Sequence, residues 1–95
     1  MKVRNMESAK GNKIANQFII EANDSDTYDD VEYFQSYDSV IVKKVFGASR
    51  SVTLDSQYWD YSVTTGKYRN QFLGETKKET EAKIKSGEYK LADLN

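Results

Sequence analysis

The sequence predicts a single α+β domain spanning residues 1–95. It is an antiparallel sheet of four to five strands packed by a central helix, with a second helix on the C-terminal surface. Three observations carry this. Residues 13–22 alternate in polarity and residues 40–46 form a β-branched run, both strand signals. Residues 58–73 hold the only Trp, three of the seven Tyr and a helix-start pattern. Residues 76–79 read as a hydroxyl N-cap followed by Glu three positions on, the capping-box signature.

Taken in order, residues 3–9 read as a first strand. Lys10-Gly11-Asn12 supplies a hairpin turn, because Gly and Asn tolerate positive φ. In the next strand Ile14, Asn16, Phe18 and Ile20 share one face, and Ala15, Gln17 and Ile19 the other. Residues 23–30 are rich in turn formers and read as a loop. Strands follow at 31–35, 40–46 and 52–54, with turns at 36–39 and 47–51 of the lengths hairpins use.

The central helix is expected to start at Thr64 or Thr65, whose side-chain oxygen can take an unpaired N–H of the first turn. Tyr61, Thr65, Tyr68 and Phe72 then fall on one stripe, and Gly74 is the stop. Lys67 and Arg69 flank that stripe on opposite sides, since two helical steps turn a side chain by roughly 200°. Both are expected to be solvated. The second helix has two i,i+4 pairs in the favourable order, Glu79–Lys83 and Glu81–Lys85, and ends at Gly87. Its only apolar residues are Ala82 and Ile84, so it is a surface helix. Tyr89, Leu91 and Leu94 are expected to dock back on the domain.

Composition narrows the function. There is no Cys and no His. Thiol chemistry, disulfides, and Ser-His-Asp or Cys-His catalysis are therefore excluded, and the usual zinc ligands are missing. The lack of Cys fits a cytoplasmic setting. No apolar run has the length of a membrane span. No catalytic residue, metal site or cofactor is expected. Glu81-Ala82-Lys83 lies on a helix, whereas a nuclease-type Glu-x-Lys belongs on a strand. Gly66-Lys67 lacks the preceding Gly of a phosphate loop. Asp55 and Asp60 flank the Trp without the setting that would split their roles.

The charge is unevenly spread. Residues 21–38 carry seven acids and no Lys or Arg, so that stretch holds −7 of a chain total of −1, leaving +6 elsewhere. Its spacing lacks the Gly and terminal Glu of an EF-hand. Asp24, Asp26, Tyr28, Asp29, Asp30, Glu32 and Tyr33 are the candidate partner-binding surface, where carboxylates and rings would imitate phosphates and bases. The alternative is nucleic-acid binding through Lys43, Lys44, Arg50, Lys67 and Arg69 with exposed Tyr or Trp.

Several blocks recur in order over residues 11–74: Gly11-Asn12, Asn16-Gln17-Phe18, residues 34–39, Trp59-Asp60-Tyr61-Ser62, Thr64-Thr65, Lys67-Tyr68 and Phe72-Leu73. In these the chain resembles small uncharacterised proteins encoded by phages and plasmids of Gram-positive bacteria. That resemblance brings no activity with it. It implies a mobile-element context, in which small proteins act by binding one host protein, CRISPR effectors and other defence enzymes included. The oligomeric state is left open.

Overall fold

The computed structural model describes residues 1–24, 29–47 and 50–95. Along them run β1 (Lys2–Glu7), β2 (Lys13–Asn23), β3 (Asp30–Ser36), β4 (Ser39–Phe46), β5 (Ser51–Asp55), α1 (Val63–Leu73), α2 (Lys77–Ser86) and β6 (Tyr89–Ala92). All the strands join one sheet in chain order. β1 to β5 form an antiparallel meander, and β6 pairs with β5 in parallel.

The α+β class stands, but the sheet is mixed and six-stranded where the sequence predicts four or five antiparallel strands. The extra strand is the tail expected only to dock. Four residues are too few for a period-two pattern to register. A parallel partner also needs a long crossover, which α1 and α2 together supply.

Register sorts the side chains onto two faces, because directly paired residues project the same way. One row reads Arg4, Ile19, Phe34, Val42, Leu54, Leu91. The next reads Val3, Ile20, Tyr33, Lys43, Thr53, Lys90. The helices cover the first face. Phe72 of α1 stacks on Phe34, with ring centroids 5.7 Å apart. Thr65 and Ser36 share a buried hydroxyl hydrogen bond of 2.9 Å. The core gathers Met6, Phe34, Ile41, Val42, Leu54, Phe72 and Tyr89, with Tyr58, Trp59, Tyr68 and Ile84 packed against it.

Local signals explain the helix ends. Ser62 caps α1, accepting from the Thr65 N–H at 3.1 Å, so the helix starts a little earlier than Thr64 or Thr65 predict. Tyr61 therefore lies outside the helix and is 47% exposed instead of joining the stripe. Gly74 and Gly87 close the helices in the left-handed region, with φ of 70° and 85°. In α2 the capping box forms in full: Glu79 N–H donates to Thr76 Oγ1 at 3.2 Å, and Thr76 N–H to Glu79 Oε1 at 3.1 Å.

The expectation that Arg69 is solvated is corrected: its side chain is 1% exposed. Residues ahead of α1 fold back over it. Arg69 Nη1 donates to the Trp59 carbonyl at 2.6 Å and to Asp60 Oδ1 at 3.4 Å, and Nη2 to Asn70 Oδ1 at 3.1 Å. The guanidinium also lies 5.2 Å from the Trp59 ring. Asp60 is thus a counter-ion, held at 2.7 Å by Lys77 as well.

A carboxylate clamps the two helices to β6. Glu75, between α1 and α2, accepts from Thr80 Oγ1 at 2.6 Å, Lys83 Nζ at 2.8 Å and the Tyr89 hydroxyl at 2.7 Å. Burial pushes the Glu75 carboxyl up, but bonds from Lys83, Thr80 and Tyr89 outweigh it and hold it below its usual range. The Tyr89 hydroxyl is driven the other way, to about 12, by burial and by its bond to that carboxylate.

Candidate interaction surface

Of the described acids in this stretch, Glu21, Asp24, Asp29, Asp30 and Glu32 lie toward one end of the β2–β3 pair, and Asp38 lies in the β3–β4 turn. Strand alternation decides which carboxylates meet. Asn23 pairs with Asp30, and Glu21 with Glu32, so these four project together on the helix-bearing face, beyond the part the helices cover. Asn23 Nδ2 donates to Asp30 Oδ1 at 3.0 Å. Phe46 pairs with Asp30 from β4. Together with Met1 and Lys2 they border a depression of about 450 Å³.

Glu21 and Glu32 stand directly opposite each other, an arrangement that costs free energy in a sheet. Cations sit at both ends of the row: Lys2 beside Glu21 and Lys44 beside Glu32. Arg4 reaches Glu21 at 2.8 Å. Both partners are about half exposed, so that pair contributes little and is screened by salt. Among the described residues Glu32 makes no hydrogen bond or ion pair.

Lys44 is engaged elsewhere. Its ammonium donates to the Phe72 carbonyl at 2.7 Å and lies 4.1 Å from the Phe72 ring centroid, closing the C-terminal end of α1. Burial pushes its pKa down, and Glu32 pulls part of that back. The surface therefore keeps a negative centre between matched flanks.

The remaining predicted residues scatter. Asp24 N–H donates to the Asp29 carbonyl at 2.8 Å, bringing those two residues to the hairpin tip. The Asp29 carboxylate lies against Gly47, filling the space a side chain there would need. Tyr33 is on the opposite face from Glu32, beside Lys43. Asp26 and Tyr28 lie outside the described residues.

The alternative basic set does not form a patch either. Lys43 lies on the helix-free face, while Lys44 and Arg69 serve the interior. Arg50 sits 5.4 Å from the Phe46 ring and Lys67 5.3 Å from the Tyr68 ring. Among the described residues no group of three or more His, Cys, Asp or Glu is placed to hold a metal ion. No described helix is long and apolar enough to cross a membrane.

Sequence reasoning missed Glu21 as a member of the acidic face, although a strand through residue 22 already put it in reach of Glu32. It also grouped Glu32 with Tyr33, which strand alternation separates.

Fold and surface define a small α+β protein: a mixed six-stranded sheet, helices on one face, and a charged hairpin end. The chain belongs to a family of unknown function, DUF8033, whose model matches residues 1–88. The match takes in β1 to β5 and both helices. Comparison with curated proteins and with solved structures gives no match.

Proposed function

We propose that the protein works by binding, as a mobile-element protein that inhibits a host nucleic-acid-handling defence enzyme in the bacterial cytoplasm, CRISPR effectors being one such class. Its contact surface is the acidic hairpin end, with Asp30 and Glu32 set against a basic groove in place of nucleic-acid phosphates. The observation that carries the reading is the pairing of Glu21 with Glu32. Two acids are held face to face beside Asp30; Arg4 answers Glu21, while Lys44 is turned inward to α1 and Glu32 has no ion pair among the described residues. A cationic partner answers that charge on binding. Its charge complementarity also speeds association at low salt.

The test begins with capture of partners from a bacterial lysate by the wild-type chain and by a variant with Asp24, Asp26, Asp29 and Asp30 changed to Asn and Glu32 to Gln. A partner so identified is purified and its affinity measured over a range of salt. The expected outcome is loss of capture and a flatter salt dependence in the variant. Unchanged affinity and unchanged salt dependence would sink the proposal.

A further inference from the structure

The sheet face turned away from the helices has a chemistry of its own. Antiparallel sheets with one solvated face ordinarily present polar residues there. Here β2 is apolar on both sides: Ile19 enters the core, while Phe18 and Ile20 project outward. Phe18 pairs with Gln35 and Tyr33 with Ile20, so Phe18 and Tyr33 are diagonal neighbours on adjacent strands, about 7 Å apart. Both rings are partly exposed and neither belongs to the core. Lys43 is directly beside Tyr33, and beyond Thr53 in the same row comes Lys90.

The sign of this face is opposite to that of the hairpin end. Glu21, Asp30 and Glu32 all project to the other side. Asp55 is 1% exposed, and its oxygens are occupied by the N–H groups of Gln57, Tyr58 and Leu94 and by the Asn95 amide. Glu7, at the β1–β2 turn, pairs with Lys13. A pair of rings on a flat sheet with lysines to one side suits unpaired bases stacked on the rings and phosphates along the lysines. A duplex hides its base faces and leaves the rings unused.

We propose that this face binds single-stranded nucleic acid, with Phe18 and Tyr33 stacking bases and Lys43 and Lys90 contacting phosphates. The site is separate from the acidic surface, and its partner is of a different class. Fluorescence anisotropy with labelled oligo-dT, oligo-U and a duplex of equal length, at low salt, tests it. Single strands should bind more tightly than the duplex. Tyr33→Ala and Phe18→Ala should each weaken binding at least about fivefold, as loss of one stacked base does. Tyr33→Phe keeps the ring and should bind as wild type, which separates stacking from misfolding. Lys43→Gln with Lys90→Gln should lower the salt slope by about 1.4, the share of two phosphate contacts on a single strand. The proposal fails if neither single strand changes the anisotropy, if the duplex binds as well, or if Tyr33→Ala binds as wild type. It also fails if sedimentation shows a dimer that Tyr33→Ala disperses, since a second copy would then cover the face.

Discussion

Glu75→Ala should be among the most damaging single changes in the chain. Three donors lose their acceptor. Thr80 falls back on the Thr76 carbonyl, already 3.2 Å from its hydroxyl. The Lys83 ammonium is near the surface and returns to water, contributing little. Tyr89 is only 8% exposed, and its hydroxyl hydrogen is left without an acceptor. An orphaned buried hydroxyl costs about 1–3 kcal/mol, and loss of packing around the deleted side chain brings the total to roughly 2–4 kcal/mol. For a domain of this size that lowers Tm by roughly 10–25 °C. The assay is thermal and urea unfolding followed by circular dichroism. A second substitution makes the reasoning refutable. Tyr89→Phe should cost about 1 kcal/mol in the wild type and close to nothing in Glu75→Ala, because the orphaned hydroxyl is then gone. Equal costs of Tyr89→Phe in the two backgrounds would show that the clamp does not couple α2 to β6.

Three further outcomes follow from the same structure. Gly66→Ala should stabilise the protein by about 0.5–1 kcal/mol, since Ala is the better helix former and its Cβ would meet the Arg69 guanidinium at an ordinary 3.6 Å; a lower urea midpoint would contradict this. Stability should fall as the solution is acidified below about pH 4, because bonds to Asp55, Asp60 and Glu75 outweigh their burial and hold these carboxyls below their usual range. Their contribution is whole above the unfolded-state pKa and disappears as pH drops through the folded one; a urea midpoint flat from pH 6 to 2 would refute it. In the alkaline range Tyr89 should ionise near pH 12, later than an ordinary tyrosine, and Glu75→Gln should bring it down, read from tyrosinate ultraviolet absorbance.

What the sequence makes legible is whatever its neighbours decide. The Gly11 turn, the 40–46 run, the Thr76–Glu79 box and the Gly74 and Gly87 stops each involve residues a few positions apart, and each appears in the structure. β6 is hidden because its partner lies far back in the chain: Thr53 pairs with Lys90. Arg69 is misread for a related reason. Helical geometry gives its angle about the axis, but not that Trp59 and Asp60 return to cover it. Glu75 carries no local mark either, since Lys83 and Tyr89 reach it from the far end of α2 and from another strand. Of the candidate surface, the clustering of acid was plain, while its division between two faces depended on register, which only the pairing of β2 with β3 settles.

The parallel crossover between β5 and β6 has a consequence for biosynthesis. Each of β2 to β5 can zip onto its predecessor as it leaves the ribosome, because only a short turn intervenes. The outer edge of β5 has no such neighbour until Tyr89 arrives, 34 residues after Asp55. At about 5–20 residues per second that is an interval of about 2 to 7 s in which a raw strand edge stays unpaired. The nascent chain is most open to pairing with the wrong partner in that window, and it shuts when Tyr89 docks on Glu75.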